Sequence, residues 1–591
     1  MKTVPWRVMS CLLLTFAVSS LHAASYSVGG AGCTHPTLQA ALNAAATAAG
    51  GPHRIKLAAA ELTTVGLTLN APAHDITIEG GYAGCTSEMP TAGASTTIRQ
   101  TGAARVWSMT GGDVALPRRT ITLMRVRITG GNAAAASGGG IFVGGKLELR
   151  LAQGAVVTGN HALDGGGVAL YSGGEAVEDV ARLRLDEGAM VRDNSASRFG
   201  GGLHLLGGAN ATLLEGGVND NTASLRGGGI YLDGPGTDLR IQTFGQSRVT
   251  VDGNTAGLAA FSTGNGYGGA IYSARARVLA DTTGSPGEHK ISLSGNTANF
   301  GGAIYAEGPT NGTFTFIELR DSAITGNYAR GKGGAFYSRF AVDWVITHDS
   351  TGPCAVFLLG LVPCSLVFGN AAGNEGAPGF PGGGVFFLAS DAGVSRSIAR
   401  VRRTLFQSNE DIDGRAAIIE AEGANEYLIE RSLFKGNIAD GGGATFAALF
   451  RSGSANSWLL YSTVLDNHVD RLFVFGGTTL NVTGSIFWDP GTTIWMQPPS
   501  AMTHGDCLIS HTTANLPGSV LTWDPRLDSR GRPRRRSDAW DYCATAAAAD
   551  AEGRNGYDIP GVTNAYGLYD LGAYEQADVI FTHGMGSYPI N

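Results

Sequence analysis

Short segments in which apolar and polar residues alternate recur through the middle of the chain, and most of them end in asparagine. A glycine pair follows a few residues later and precedes a second apolar segment, as in VVTGN ending at Asn160 and GGGVAL from Gly165. Eleven asparagines occupy this position: Asn132, Asn160, Asn194, Asn221, Asn254, Asn296, Asn327, Asn370, Asn409, Asn437 and Asn467. Their spacing of 27 to 43 residues is typical of solenoid repeats.

The residue types within each repeat indicate β-strands. Val, Ile, Phe and Tyr fill the apolar positions and glycine separates the segments, whereas ankyrin and TPR repeats of similar length need long helical patterns. Eleven units are also too many for one propeller ring. The sequence therefore predicts an all-β fold, a right-handed parallel β-helix solenoid of about eleven or more coils, stacked about 4.8 Å apart.

The recurring glycines and asparagines are expected to form the corners of the coils. Glycine allows a positive φ and a close approach of backbones, and we expect Gly201 and Gly302 to use a positive φ. Asparagine satisfies backbone groups in turns, and stacked carboxamides can bond from coil to coil as a ladder. This pattern favours a structural role for the eleven asparagines over a catalytic one.

The ends of a solenoid expose unpaired strand edges that must be covered. Residues 36–49 carry Leu38, Ala41, Leu42 and Ala45 at helical spacing, which predicts an N-terminal capping helix. At the other end, four tryptophans are expected mostly to pack the last coils and a C-terminal cap, with a sugar-binding aromatic platform as the alternative: Trp488, Trp495, Trp523 and Trp540.

Composition and the first residues indicate an exported protein. The chain has 89 glycines among 591 residues and only 15% charged residues, which suits an array of tight turns. Lys2 and Arg7, an apolar run over residues 11–18 and a cleavage site after Ala23 predict a signal peptide. The net charge of −7 argues against non-specific binding of nucleic acid, and no later segment has the length of a membrane span.

The six cysteines beyond the signal peptide are expected to form disulfides in an oxidising compartment. Proximity in sequence suggests the pairs Cys33–Cys85, Cys354–Cys364 and Cys507–Cys543, although six cysteines allow 15 connectivities. Metal binding is the alternative, but the chain has no CxxC pair and the spacings do not match zinc sites.

The repeats resemble those of chlamydial polymorphic outer-membrane proteins over roughly residues 121–467. GGAI from Gly268, GGAI from Gly301 and the FxxN units ending at Asn409 and Asn437 carry the resemblance. It implies a surface-displayed β-helix associated with adhesion.

The C-terminal region resembles the ending of choice-of-anchor Q bacterial β-helix proteins. DPRL from Asp524, SDAWD from Ser537, YDIPG from Tyr557 and DLGAYE from Asp570 carry this resemblance, with Asp538 in place of the usual proline. It implies an exported, surface-retained protein and no defined activity.

The strongest candidates for chemistry are carboxylates two residues apart, which alternation would place on one face of a strand. Together with nearby arginines they form one acidic and basic cluster in the sequence: Asp411, Asp413, Glu420, Glu422, Arg402 and Arg415. A solvated strand face explains such pairs more simply, and the ordered residue set of polygalacturonases is absent. No residue is assigned a catalytic, cofactor-binding or metal-binding role, and no cofactor is predicted.

The sequence thus predicts a non-enzymatic exported protein, a cell-surface adhesin or an envelope binding protein, with a polysaccharide lyase or glycoside hydrolase as the alternative. Its expected partner is a glycan or a host or envelope surface. Three insertions, at 255–267, 341–365 and 371–381, are the expected contact segments; the alternative is that they are insertions without a function that the fold tolerates. The predicted segments are a signal peptide (1–23), an N-terminal cap with the first coils (24–120), the repeats (121–487), the last coils with a C-terminal cap (488–576) and a tail (577–591).

Overall fold

In a computed structural model the chain winds through four parallel sheets as a right-handed β-helix, which confirms the predicted fold. The structure describes residues 23–112, 116–172, 180–257, 265–283, 288–309, 314–349, 354–356, 360–373, 383–389, 396–412, 416–439, 447–453, 457–477, 479–497, 501–504, 507–514, 516, 520–534, 537, 539 and 573. The predicted signal peptide up to residue 22, the C-terminal tail and the GGGATF repeat from Gly441 lie outside these ranges.

Each complete coil passes in turn through sheets 1, 2, 3 and 4, and every strand pairs with the equivalent strands of the coils before and after it. Sheet 1 has 16 strands: Ser25–Val28, His53–Leu57, Ile76–Glu79, Arg119–Met124, Leu147–Ala152, Arg182–Leu185, Asn210–Leu213, Asp238–Phe244, Arg277–Thr283, Thr315–Arg320, Val342–Thr347, Ile398–Arg402, Glu426–Glu430, Ser457–Leu460, Thr479–Thr483 and Ala501–His504.

Sheet 2 has 15 strands: Glu61–Thr64, Thr96–Gln100, Val126–Thr129, Val156–Thr158, Ala189–Arg192, Gly216–Asn219, Val249–Thr250, Ile291–Ser294, Ser322–Thr325, Ser365–Phe368, Thr404–Gln407, Leu433–Lys435, Thr463–Leu465, Ser485–Trp488 and Leu508–Ser510. Sheet 3 has 10 short strands: Asn132–Ser137, His161–Asp164, Ser195–Phe199, Thr222–Ala223, Thr255–Ala256, Thr297–Ala298, Tyr328–Ala329, Ala371–Ala372, Glu410–Asp411 and Ile438–Ala439.

Sheet 4 has 14 strands: Leu67–Asn70, Trp107–Thr110, Ile141–Gly144, Val168–Tyr171, Leu203–Leu206, Ile230–Asp233, Ile271–Ala274, Ile304–Glu307, Phe336–Arg339, Phe386–Ala389, Ala416–Ala421, Ala448–Ser452, Arg471–Gly476 and Thr493–Gln497. A separate antiparallel hairpin pairs Cys354–Val356 with Gly360–Val362 inside the predicted insertion at 341–365. The central segments of the other two insertions lie outside the described residues.

Alternation along each strand separates a continuous core from the solvent-facing surface. Inward positions of sheet 1 such as Leu149, Leu183 and Leu239 stack in register from coil to coil and are fully buried. Because every coil repeats this arrangement, one apolar core runs along the whole solenoid and the outward positions are left to charged and polar residues.

The N-terminal cap has the predicted form. The helix Leu38–Thr47 starts at Thr37, whose side chain accepts a hydrogen bond from the Ala40 backbone N–H, as a helix N-cap does. Its four predicted apolar residues are all buried against the first coils, and the Cys33–Cys85 disulfide joins the segment before the helix to the loop after Ile76–Glu79. The Cys354–Cys364 disulfide is also present, whereas Cys543 lies outside the described residues, so its pairing with the buried Cys507 stays a prediction.

The C-terminal region packs on the outside of the rod as well as at its end. Ala573, from the DLGAYE segment, is buried against Leu366, Leu405 and Leu433, which point outward from sheet 2. Of the four tryptophans, Trp488 packs against a small cluster around Ile509 and Trp523 is exposed. The side chains of Trp495 and Trp540 lie outside the described residues.

Ten of the eleven asparagines form a buried ladder between sheets 2 and 3: Asn160, Asn194, Asn221, Asn254, Asn296, Asn327, Asn370, Asn409, Asn437 and Asn467. In each step the Oδ1 of one asparagine accepts hydrogen bonds from the backbone N–H and the Nδ2 of the asparagine one coil earlier, as Asn296 does from Asn254 at 2.9 and 3.1 Å. The predicted ladder is confirmed for these ten residues.

Asn132 is the exception, and its predicted place in the ladder is wrong. Its side chain is exposed, and the register pairs it with His161 instead of Asn160. Gly131 stands at the ladder position and donates its backbone N–H to Asn160 Oδ1 at 2.9 Å. A shift of one residue moves a strand side chain to the opposite face, which the sequence spacing alone does not reveal.

Asp489 ends the ladder, and its buried carboxyl group is expected to make the stability of the protein depend on pH. It is buried, and its carboxylate accepts the backbone N–H and the Nδ2 of Asn467, both at 2.9 Å. Burial raises the pKa of the Asp489 carboxyl to about 6, above the value near 3.9 of an unfolded chain. The folded state therefore favours the protonated acid, and its stabilising contribution is complete below pH ~4 and lost as the pH rises through ~6.

Replacing Asp489 by asparagine should remove this pH dependence, because a neutral carboxamide can accept the same two hydrogen bonds. We expect the Asp489→Asn variant to exceed the parent by about 2–3 kcal/mol in free energy of unfolding at pH 8 and to match it at pH 4. Urea unfolding at both pH values measures this, with the exposed Asp524→Asn as control. An identical difference at both pH values would contradict the assignment.

Candidate functional site: an arginine groove on sheet 1

Those of the acidic and basic residues singled out in the sequence that the structure describes are distributed over three sheets. Asp411 lies in sheet 3 and is buried, where its Oδ2 accepts the backbone N–H of Ala416 at 3.0 Å. Glu420 is buried on sheet 4, and Arg402 lies on sheet 1 with its Nε 3.0 Å from a carboxylate oxygen of Glu430.

Glu422 follows the sheet 4 strand that contains Glu420, and its Oε1 lies 3.2 Å from Lys332 Nζ. Asp413 and Arg415 lie outside the described residues. The expected exposed face bearing both Asp411 and Asp413 is thus wrong for Asp411, because its carboxylate is buried and closes a turn.

A groove of about 790 Å³ instead runs along the outer face of sheet 1. Its wall and floor contain five arginines, contributed by three sheet 1 strands and by the turn before one of them: Arg182, Arg184, Arg240, Arg275 and Arg277. Two carboxylates, Glu148 and Asp238, also line it. Excess positive charge in a concave site attracts anions and concentrates the field, so this groove is the candidate functional site.

The parallel register explains how residues far apart in sequence share this surface. Outward side chains of six successive strands form one column: Glu148, Arg182, Asn210, Asp238, Arg277 and Phe316. A second outward column, two residues further along each strand, contains Arg150, Arg184, Thr212 and Arg240. At about 4.8 Å per strand, the first column extends about 24 Å along the rod, which suits a polymer better than a small molecule.

Ion pairs hold several of these arginines in place. Arg277 donates two hydrogen bonds to Asp238, at 2.8 and 3.1 Å, and Arg240 donates a third at 2.9 Å. The hydrogen bond to Asp238 raises the pKa of the Arg277 guanidinium further, so this group stays charged. At the edges of the groove, Arg184 and Arg275 pair with Asp186 and Asp233.

Arg182 differs from its neighbours, because it makes no hydrogen bond or ion pair with a side chain of the described residues. Its guanidinium is therefore available to a ligand, whereas Asp238 and its two arginines provide a pre-formed framework. The groove also has an apolar side, formed by Pro235 and by Phe314, which is 46% exposed. Charged donors beside a few apolar groups are typical of ligand sites.

The two carboxylates of the groove are poorly placed for glycoside hydrolysis. Glu148 and Asp238 occupy the same column three strands apart, which corresponds to about 14 Å, whereas paired catalytic carboxylates lie about 5–9.5 Å apart. Asp238 is in addition engaged by two arginines. Within the described part of the groove, the arrangement favours binding over cleavage.

The sequence carries a signal for this groove in the alternation of its sheet 1 strands. The sheet 1 strands read RLRL from Arg182, DLRI from Asp238 and RVLA from Arg277, so charged residues alternate with inward apolar ones. The strand register is also needed to align these segments, because consecutive ones begin 56 and 39 residues apart in sequence.

A second outward feature, an aromatic column on sheet 4, is structural. Six aromatic residues occupy equivalent positions on successive sheet 4 strands, each a few residues after a corner glycine: His204, Tyr231, Tyr272, Tyr305, Tyr337 and Phe387. Tyr231 and Tyr272 stack with centroids 5.0 Å apart and planes 3° apart, and Tyr272 and Tyr305 with centroids 5.3 Å apart. Because the ring faces cover one another, the column stabilises the sheet and offers a sugar only ring edges.

Comparison with known families finds one match, to the Chlamydia polymorphic membrane protein (Chlamydia_PMP) repeat over residues 290–307. These residues form one sheet 2 strand, one sheet 3 strand and one sheet 4 strand of a coil, including the ladder residue Asn296. The match suggests a protein associated with a cell surface or outer membrane. No curated protein and no solved structure matches the chain significantly. Among the described residues, no helix is long and apolar enough to cross a membrane.

Proposed function

We propose that the protein is an exported, non-enzymatic binding protein of the cell surface, an adhesin-type β-helix that holds an acidic polysaccharide in the sheet 1 groove. The observation that carries this proposal is the column of outward arginines in which Arg182 has no carboxylate partner among the described residues. The matched repeat and the predicted signal peptide support a surface location.

The chemistry of the groove favours a carboxylated sugar polymer. A guanidinium forms parallel hydrogen bonds to a carboxylate, and the spacing of arginines along the rod suits a ligand whose acidic groups repeat. The exposed Phe314 and Pro235 can contact the apolar faces of sugar rings. Nucleic acid is a poorer candidate because the chain is acidic overall, with a net charge of −7.

The test is a double substitution that removes two groove charges. We expect Arg182→Gln with Arg184→Gln to weaken binding to polygalacturonate or alginate at least ~10-fold, as loss of charge-assisted hydrogen bonds costs about 1.5–3 kcal/mol each. Binding of the parent should also weaken with added salt. Affinity is measured by co-sedimentation with the immobilised polymer at several salt concentrations.

A matched control lies on the outer face of sheet 2. Arg127→Gln with Arg192→Gln removes the same charge, and Arg192 pairs with Asp193 as Arg184 pairs with Asp186, so this variant should bind like the parent. Equal weakening by both double variants would contradict a groove-specific site. Release of reducing or unsaturated ends from the polymer by the parent would instead favour the polysaccharide-degrading alternative.

A further inference from the structure

A buried cluster of potential metal ligands lies where the chain passes from sheet 1 to sheet 2, next to the inserted hairpin at 354–362. The carboxylate of Asp321, a ring nitrogen of His348 and the sulfur of Cys364 lie within 4.8 Å of one another. Asp321 follows one sheet 1 strand, His348 follows the next, and Cys364 precedes the sheet 2 strand Ser365–Phe368. The stacking of coils thus gathers three ligand types although the chain contains no CxxC motif.

His348 is the residue whose surroundings point to a ligand. Its side chain is 0% exposed, and Nδ1 lies 2.6 Å from Asp321 Oδ1. Its other nitrogen, Nε2, is buried and has no hydrogen-bond partner among the described residues. A buried polar atom left unpaired is costly and needs an explanation, and a carboxylate that orients a histidine for metal binding through its other nitrogen is a common arrangement.

His289 lies next to this cluster and comes from the coil before that of Asp321. It comes just before the sheet 2 strand Ile291–Ser294. The ring lies beside the Cys364 backbone, and both of its nitrogens are buried without a hydrogen-bond partner among the described residues. Two imidazoles and one thiolate form a ligand set that suits zinc and cobalt.

The sulfur of Cys364 is held in the disulfide with Cys354, at the start of the inserted hairpin. We propose that opening this disulfide creates a zinc site in which Cys364, His348 and His289 bind the metal and Asp321 orients His348. A dithiol reductant breaks the S–S bond, becomes a disulfide itself and leaves two protein thiols. Cys364 then gives up its proton to solvent as its thiolate binds the ion. The site is separate from the sheet 1 groove and does not depend on it.

Two cysteine variants test the site without any reductant. Both Cys354→Ser and Cys364→Ser abolish the same disulfide, but only Cys354→Ser keeps the proposed ligand as a free thiol. With Co²⁺ as the probe, we expect Cys354→Ser to show a thiolate-to-cobalt charge-transfer band and the intense visible bands of a tetrahedral site, saturating at one ion per chain. We expect neither from Cys364→Ser, nor from the parent with its disulfide intact.

A further pair of substitutions, made in the Cys354→Ser background, tests the histidine. His348→Asn should abolish the cobalt bands, whereas His204→Asn, at another buried histidine on sheet 4, should leave them unchanged. Equal spectra from the two cysteine variants, or bands that survive His348→Asn, would overturn the proposal. Competition by Zn²⁺, followed as loss of the cobalt bands, would confirm the preferred ion.

Discussion

Replacing Asn254 by alanine is expected to lower the free energy of unfolding by about 4 kcal/mol. The Asn254 Oδ1 accepts the backbone N–H of Asn221 at 3.0 Å, and its Nδ2 donates to the carbonyl of Val218 at 2.9 Å. Both backbone groups are buried and lose these partners, at about 1–3 kcal/mol for each group left unsatisfied, and the truncated side chain leaves a small cavity. Urea unfolding followed by circular dichroism measures the loss.

Asn132→Ala is the matched control for the ladder. It removes the same atoms from an asparagine in the same sequence pattern, but one that is exposed and outside the ladder, so its effect should stay within about 0.5 kcal/mol. If both variants unfold at the same urea concentration, the ladder does not contribute to stability. If only the coils around Asn254 loosen, hydrogen exchange will show local opening, as expected for a repeat protein whose coils contact only their neighbours.

The sequence was informative wherever one residue type repeats at one corner of the coil. Asparagine and glycine recur there because they meet the demands of the corner, and the strands followed from the same pattern. The capping helix followed instead from apolar residues at helical spacing, and two disulfides from the proximity of their cysteines in sequence. The error at Asn132 shows the limit of this reasoning. Gly130-Gly131-Asn132 and Gly159-Asn160 look alike in sequence, and only the pairing of Asn132 with His161 shows the shift by one residue.

The candidate site was harder to predict because it is formed by side chains from several stacked coils and not by one segment of the sequence. Arg182, Asp238 and Arg277 each occupy an ordinary outward position of a half-buried strand, and a single alternating segment predicts only a solvated face. Their common groove arises because parallel pairing repeats the same outward position in every coil. The sequence search favoured carboxylates close in the chain, whereas this fold brings together residues about one coil apart.

The cluster of Asp321, His348 and Cys364 illustrates the same point for an insertion. Cys364 and His348 are separated by the inserted hairpin, and Asp321 and His289 come from the two preceding coils. Zinc motifs read from sequence assume ligands from one or two local turns. A solenoid can instead assemble ligands across coils, so the absence of a CxxC pair did not bear on a site of this kind.

Replacing Gly302 by alanine is expected to destabilise the protein by about 3 kcal/mol or more, for a reason different from the one the sequence suggested. The predicted positive φ at Gly201 and Gly302 is wrong, because it occurs at the preceding residues, Gly200 at 63° and Gly301 at 65°. At Gly302 the backbone of the next coil lies too close to leave room for a side chain. A Cβ there would lie 2.1 Å from the carbonyl oxygen of Gly334, and backbone cannot move aside as a side chain can.

The Gly326→Ala variant separates the cost of a positive φ from the cost of a steric clash with the next coil. Gly326 has a φ of 61° and open space around the position of a Cβ, so alanine there should cost only the conformational penalty, about 1–2 kcal/mol. Gly302 has the reverse combination, an ordinary φ and no space, and an overpacked side chain costs about 1–3 kcal/mol or more. A larger loss for Gly302→Ala than for Gly326→Ala in urea unfolding would show that contact between coils requires glycine at this corner. The opposite order would mean that backbone conformation, not the spacing of the coils, selects it.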